Sequence, residues 1–417
     1  MAPTFDDLES RSPEAREADF FARLPAFLNA ALNEAPALKA RLEDISPSEL
    51  TSRTALAQLP VLRKAQLMEM QLANPPFGGF APASQLSGGR IFMSPGPIWE
   101  PQGLANDPAQ AARAFYASGI RSGDIVHNAF SYHMTPGGFM LDHGARALGC
   151  SVFPAGTGNT DMQVDAAAAL KPVAFAGTPD FLKILLDRAA ELGRDLSSFR
   201  HGLVTGGALF PSLRDEYAGR GVAVFQCYAT AELGVIAYES ADAQGQPNPG
   251  MVVNENLLLE IVRPGTSEPV ADGEVGEVVV TSLNLAYPMV RLGTGDLSAI
   301  LPGQSPCGRT NMRIKGWMGR ADQRTKVKGM FVDPRQVADI LVRHPDLSRA
   351  RLIVGRDGAR DVMALHVEPV PGTTPDTTGI ENSLREITKL GGTVHIVPAG
   401  SLPNDGKVIA DDRDYAG

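Results

Sequence analysis

Asp124-Ile-Val-His-Asn-Ala-Phe130, Val173-Ala-Phe-Ala176, Gly202-Leu-Val-Thr205 and Val222-Ala-Val-Phe225 are four short apolar runs whose spacing decides the fold. Each has the length and apolar content of a strand, and Phe181 to Leu192, between the second and the third, carries apolar residues at helical spacing. Strands alternating with helices predict an α/β sheet covered by helices.

Outward from this centre the pattern changes. Towards the N-terminus, Phe20, Phe21, Leu24, Phe27, Leu28, Ala31 and Leu32 recur at helical spacing, and Ala35 to Leu42 continues it. A Pro/Gly-rich stretch, Pro75 to Gly79 and then Ser87-Gly-Gly-Arg90, separates these helices from the sheet. Towards the C-terminus, Leu257 to Val262 and Gly276 to Thr281 read as strands parted by Gly- and Pro-containing loops. A compact C-terminal unit is expected from near Asp322, with strands at Arg351 to Val354 and Val362 to Val367. The expected division is a large domain over 1–320 and a small one over 321–417.

Composition bounds the function. At 43% hydrophobic and 20% charged, the 417-residue chain has ample material for a sizeable core. Its net charge of −9 argues against a broad nucleic-acid surface, which needs clustered Lys and Arg. Three cysteines, Cys150, Cys227 and Cys307, are too few and too scattered for a disulfide framework or a zinc tetrad. The N-terminus lacks the basic start and apolar core of a secretory signal, and no apolar run reaches the ~18 residues of a membrane span. The expectation is a soluble cytoplasmic protein, acting on a small molecule without nucleic acid or membrane partners; a homodimer is allowed.

Four segments carry chemistry, in the order Tyr228-Ala-Thr-Ala-Glu232, Arg291-Leu-Gly-Thr-Gly-Asp296, Gly319-Arg-Ala-Asp322 and Gly406-Lys407. Together they describe an enzyme that activates a carboxylate with ATP as an acyl-adenylate. A carboxylate attacking the α-phosphate must overcome repulsion between two anions, so the site needs cations on the phosphates and a clamp on the nucleoside. Glu232 is a candidate Mg²⁺ ligand, Tyr228 offers a flat face to adenine, and Asp296 and Arg320 suit the ribose. Lys407 suits the charge developing between substrate carboxylate and α-phosphate. Taken singly, Thr-Gly-Asp is an ordinary turn, Glu232 an exposed acid at a helix start and Lys407 a solvated charge. Only their joint order lifts them.

The sequence resembles the phenylacetate–CoA ligase branch of the adenylate-forming enzymes over nearly its whole length. Phe130-Ser-Tyr-His-Met-Thr-Pro-Gly-Gly138, His143-Gly-Ala145, Leu148-Gly149 and Gly158-Asn-Thr160 are similar to one characteristic region of that branch. Lys171-Pro172 with Gly177-Thr-Pro179 is similar to a second. Pro306-Cys-Gly-Arg-Thr310, Gly319-Arg-Ala-Asp322 and Lys328-Gly-Met-Phe-Val-Asp-Pro334 are similar to a third. The resemblance implies the adenylate-forming fold: a large N-terminal α/β domain with a β-rich subdomain, and a small mobile α+β C-terminal domain. It implies ATP, Mg²⁺ and coenzyme A as cofactors. It places Lys407 and Glu232 in catalysis, with Glu232 on the metal, and Asp322 at the hinge. Gly206, Gly207, Tyr228, Ala229, Asp296, Arg320 and Lys328 are implied on the nucleotide and CoA. Phe130, Tyr132, His133, Thr135, Gly137 and Gly138 are implied around the acid, an apolar, aromatic-lined pocket suited to a planar aromatic acid. Some members of the branch hold a structural zinc; Cys307 with Ser305 beside it predicts none here.

The chain departs from the branch at its phosphate loop, which here reads Ser94-Pro-Gly-Pro-Ile-Trp-Glu-Pro101. Proline removes a backbone N–H, Trp99 obstructs close approach, and Glu100 is expected to set a negative charge against triphosphate. On that reading, Glu100→Lys should tighten ATP binding. Ala231 replaces a hydroxyl residue before Glu232, and Ala208 and Ala229 also depart from the pattern. Three readings stay open: a CoA ligase with rebuilt pyrophosphate contacts, an adenylate supplier without CoA transfer, and a non-catalytic nucleotide- or acyl-binding protein.

Overall fold

The computed structural model describes residues 4–207, 209–242, 244–321, 323, 325–357, 360–402 and 408–413. The chain divides into two compact units, Met1–Trp317 and Met318–Gly417.

A nine-stranded sheet, counted among the described residues, organises the larger unit. Five neighbouring strands run parallel: Ser151–Pro154, Ile125–Asn128, Ala174–Gly177, His201–Val204 and Ala223–Thr230. The sheet continues antiparallel through Gly234–Tyr238, Met251–Val253, Arg313–Ile314 and Ile300–Leu301. The four apolar runs that decide the fold all lie in the parallel part. All four residues of Ala174–Gly177 are buried, as suits a strand with both faces covered. The covering helices explain themselves locally. Pro179–Glu191 opens with proline in its first turn, where no N–H is needed, and sets Leu182, Leu185 and Ala189 on one buried stripe. That stripe packs with Phe175 and Phe199, and each buried leucine stabilises the fold by about 1.5–3 kcal/mol.

A four-stranded sheet sits in the same unit. Leu62–Arg63 pairs parallel with Leu292–Ser298, which pairs antiparallel with Gly276–Ser282, and that with Leu257–Val262. The N-terminal helix Pro13–Leu32 supplies Phe20, Phe21, Leu24 and Leu28 to the core under this sheet. Arg291, 0% exposed, ties the pieces together. Its guanidinium donates to both oxygens of Glu260 at 2.9 and 3.0 Å, to the Ala57 and Ser267 carbonyls at 2.9 Å, and to the Leu59 carbonyl. Two of those carbonyls belong to the segment entering Leu62–Arg63, so Arg291 fixes that strand against the sheet.

The segment aligned with the phosphate loop, Ser94 to Pro101, lies in an antiparallel hairpin, Arg90–Ser94 with Ile98–Gln102, in the register Phe92↔Glu100, Met93↔Trp99 and Ser94↔Ile98.

The smaller unit is α+β. Leu347–Asp357 and Arg360–Pro369 form a long antiparallel pair, flanked in parallel by Ile409–Asp411 and Thr393–Ile396. Helices Pro334–Arg343 and Thr377–Thr388 add Ile340, Ile380 and Leu384 to a core with Leu352 and Leu365. Among the described residues no helix is long and apolar enough to cross a membrane.

Candidate active site

Parallel strands all point the same way, so the loops leaving their C-terminal ends gather at one edge of the sheet, where ligands of open α/β sheets bind. Here Phe130 lies just beyond Ile125–Asn128, Gly206 just beyond His201–Val204, and Thr230 and Glu232 close Ala223–Thr230. The Phe130 ring joins two of these loops. A Cβ on Gly137 would come 2.5 Å from its Cδ1, and a Cβ on Gly206 2.9 Å from its Cζ. Gly206 also has φ +76°, so glycine is required there twice over. At Gly138 a Cβ would meet the Ser131 carbonyl oxygen at 2.6 Å, the same oxygen that accepts the Gly138 N–H at 2.7 Å. Gly207 is less constrained, its nearest neighbour being the Pro179 ring at 3.4 Å.

Asn128, wholly buried, braces this loop by donating to Tyr132 Oη at 2.7 Å and to the Gly138 carbonyl at 2.8 Å. Tyr132 in turn donates to Asp142 at 3.1 Å and meets the Phe139 ring edge-on at 5.2 Å. Phe130, Tyr132, Gly137, Gly138 and Gly206 are thus brought together. His133 and Thr135 lie further out, lining a cleft of about 440 Å³ against Met93 to Pro97 of the hairpin. The Met93 N–H to Met134 carbonyl bond, at 2.9 Å, holds hairpin and loop side by side.

The hairpin corrects the expectation for Glu100. Alternation along the strand puts Ile98, Glu100 and Gln102 on the inner face with Phe92, leaving Ile91 and Trp99 outward. Glu100 is 1% exposed, and its carboxyl takes the Ser94 N–H at 3.1 Å and the Ser94 hydroxyl. It does not stand in the open facing phosphate. The turn has few backbone donors to spare. Pro95 and Pro97 have no N–H, that of Ser94 goes to Glu100, and that of Trp99 goes to Gln71 Oε1 at 2.8 Å. Gln71 also donates to the Trp99 carbonyl at 2.8 Å and to Tyr287 Oη at 3.0 Å, fixing the hairpin to helix Lys64–Ala73.

Beneath the hairpin lies a group of charges. Glu232 is buried, and Lys64 Nζ stands 2.9 and 3.0 Å from its two oxygens. Burial pulls the Glu232 carboxyl up, but the Lys64 charge and its hydrogen bond outweigh it and hold Glu232 below the usual carboxylate range. Glu100 goes the other way. Burial first, and then the Glu232 charge, push it up to about 8 against the pull of Ser94 and Lys64. The two carboxyls are thus driven in opposite directions, Glu232 towards its ionised form beside Lys64 and Glu100 towards its protonated form. Sequence reasoning missed Lys64: a lysine opening a helix is ordinarily solvated, and nothing local marks it as the partner of a residue 168 positions away.

Tyr228 and Asp296, both expected at the nucleoside, meet. Tyr228 Oη donates to Asp296 Oδ2 at 2.8 Å, and Trp317 Nε1 donates to Oδ1 at 3.0 Å. Trp317 is a second residue that sequence reasoning missed. The strand register shifts between Tyr228 and Ala229, bending the chain just before Thr230. Arg320 and Lys328 belong to the smaller unit, where Lys328, at φ +48°, turns the strand pair Thr325–Val327 and Met330–Val332 and donates its N–H to Asp361 at 3.0 Å. Ala208, Asp322 and Lys407 lie outside the described residues. Cys307 is buried, with Ser305 Oγ at 3.0 Å and Arg309 Nη1 at 3.4 Å from its sulfur.

Residues 107–287 match the family described as AMP-binding enzyme. The phenylacetate-coenzyme A ligase of Pseudomonas putida is 31% identical over 380 residues, 87% of this chain and 84% of that protein. That of Aromatoleum evansii is 30% identical over 342 residues, 78% of this chain and 75% of that protein. Among solved structures, 2-hydroxyisobutyryl-CoA ligase in complex with 2-HIB-AMP and CoA, in the thioesterification state, superposes with a TM-score of 0.75. It is 26% identical, and the match covers 98% of this chain and 92% of that one.

Proposed function

This chain belongs to the family of phenylacetate-coenzyme A ligases, and on that premise we propose that it activates a small aromatic acid. The reaction class is AMP-forming acid–CoA ligation. An acid oxygen attacks the α-phosphorus of ATP, the bond to the β-phosphate oxygen breaks, and pyrophosphate leaves with the electron pair. The sulfur of CoA then displaces AMP from the acyl carbon. The observation that carries the assignment to this chain's residues is the convergence at one sheet edge: the Phe130 loop, Gly206 and Glu232 each follow a strand of the one parallel run, and Lys64 reaches Glu232 from helix Lys64–Ala73.

Each group has a physical task. Phe130, Tyr132 and Phe139 supply ring edges and faces, which supports a planar aromatic acid over a short aliphatic one. Lys64, with 27% of its side chain exposed, supplies the positive charge that the altered loop lacks and lowers the repulsion between acid and phosphate. Glu232 fits Mg²⁺, because it is held ionised beside Thr230 and this ion commonly takes one or two carboxylates and leaves the rest to phosphates and water. Bound there, Mg²⁺ would neutralise phosphate charge. Asp296 accepts the ribose hydroxyls in this reading, which the fixed position given it by Tyr228 and Trp317 supports. The assignments of Gly207, Ala229, Arg320 and Lys328 to nucleotide and CoA, of His133 and Thr135 to the acid, of Asp322 to the hinge and of Lys407 to adenylation rest on the family resemblance.

The test is pyrophosphate release with MgATP and a panel of aryl and short aliphatic acids, with hydroxylamine to trap adenylates, repeated with CoA. Aryl-acid-dependent release and a thioester on adding CoA are expected. Response to aliphatic acids alone would overturn the aromatic assignment, and adenylate without thioester would make the chain an adenylate supplier.

A further inference from the structure

The Ser94–Glu100 arrangement has the parts of an anion site with the anion supplied by the chain itself. A backbone N–H and a hydroxyl, both from Ser94, converge on one carboxyl within the field of Lys64. Backbone amides, a hydroxyl and a lysine are the groups that hold phosphate oxygens in loops of this kind. Glu100 is a built component of this site. It is 1% exposed, its strand is fixed by the Trp99–Gln71 pair of hydrogen bonds, and Gln71 anchors to Tyr287. The turn beyond it offers few replacement donors, because Pro95 and Pro97 carry none. The cleft beside the hairpin is lined by Met93, Pro95, Pro97 and Met134 together with Ser94, Gly96, His133 and Thr135, a lining with no lysine or arginine to meet a polyanion.

We propose that Glu100 is a specificity-determining residue that fills the outer phosphate subsite from within, so that the site holds AMP and acyl-adenylate in preference to ATP and pyrophosphate. The inference rests on the nucleotide reading of this site. The α-phosphate region, at Glu232 and Lys64, stays available; the β- and γ-phosphates must do without the donors of Ser94. Pyrophosphate is then a weakly held product, and adenylation is poorly reversed.

The groups facing Glu100 define how it responds. Lys64 and Gln71 come from the helix, Glu232 from the end of Ala223–Thr230, Tyr287 from its loop and Ser94 from the hairpin. Only Lys64 among these is cationic, and it is committed to Glu232. Ionising Glu100 therefore adds a second negative charge where one lysine already serves one carboxylate.

The experiment is calorimetric titration of the full chain with AMP, MgATP and magnesium pyrophosphate, for wild type, Glu100→Ser and Glu100→Gln. Glu100→Ser frees the Ser94 donors, and two recovered hydrogen bonds predict ~10-fold tighter pyrophosphate and ATP binding with AMP changed less than ~2-fold. Glu100→Gln keeps the subsite filled without a titratable group, which covers the case where serine at a buried position fails to fold. It should keep the wild-type ratio of ATP to AMP affinity. An ATP-to-AMP affinity ratio unmoved by Glu100→Ser, or one that shifts ~10-fold in Glu100→Gln, would overturn the role of Glu100. Absence of AMP binding by the wild type would instead overturn the nucleotide reading, and the proposal with it.

Discussion

Replacing Glu100 by Gln should change how stability depends on pH more than it changes stability itself. The substitution keeps the size of the side chain and an acceptor for the Ser94 N–H, and removes the acid. In the unfolded chain Glu100 loses its proton near the ordinary value of 4.5, whereas in the folded chain burial and Glu232 keep the proton until about 8. The folded state thus binds more protons across that window, and stability falls as pH rises through it. The contribution is fully present below the lower value and lost above the upper one. The span of the window corresponds to about 5 kcal/mol. Wild type should therefore lose several kcal/mol relative to Glu100→Gln between the two ends of the window. The assay is urea unfolding monitored by circular dichroism at a series of pH values. Two stability curves that run parallel in pH would refute the reasoning, since Glu100 would then titrate alike in both states.

Three further outcomes are expected. Lys64→Met should slow adenylation by ~10²-fold while sparing thioester formation from supplied acyl-adenylate, with Lys64→Arg intermediate; equal loss in both half-reactions would make Lys64 merely structural. Arg291→Met should cost about 3–5 kcal/mol of stability in the same unfolding assay, because it strands a buried Glu260 and three carbonyls. Lys407→Ala should abolish acid-dependent pyrophosphate release and leave thioester formation from supplied acyl-adenylate intact, which stopped-assay chromatography of both products would check.

The fold was legible because its signals are local. Strand-length apolar runs between helices define the parallel sheet, and the stripe of Leu182, Leu185 and Ala189 is visible in one helix alone. The hairpin at Arg90–Gln102 was not legible, since Pro95, Gly96 and Pro97 read as a broken loop, while pairing partners such as Phe92 and Glu100 are recognised only once the turn is known. In the site, Phe130, Gly137 and Gly206 were anticipated through the family resemblance alone, and the close approach of the Phe130 ring to both glycines is a physical reason visible only in the fold. The charge pattern was not anticipated. Glu100 was set against triphosphate by its place in the phosphate loop, and its burial against Ser94, near Lys64 and Glu232, shows only in the fold. Arg291, grouped by sequence with the nucleotide segment, serves the sheet instead through Glu260, a partner on another strand rather than in the motif.

The bridged Asp296 has one more consequence. The chain has two tryptophans, and both stand at the site: Trp99 in the outward face of the hairpin, 39% exposed, and Trp317 donating its indole N–H to Asp296. An indole excited state responds to the charge and hydrogen bonding around its ring. Emission from the native protein therefore reports on the hairpin and on the Asp296 surroundings without any attached dye, and Trp99→Phe and Trp317→Phe separate the two signals. A ligand that reaches only Asp296 should move one signal of the pair and leave the other unchanged.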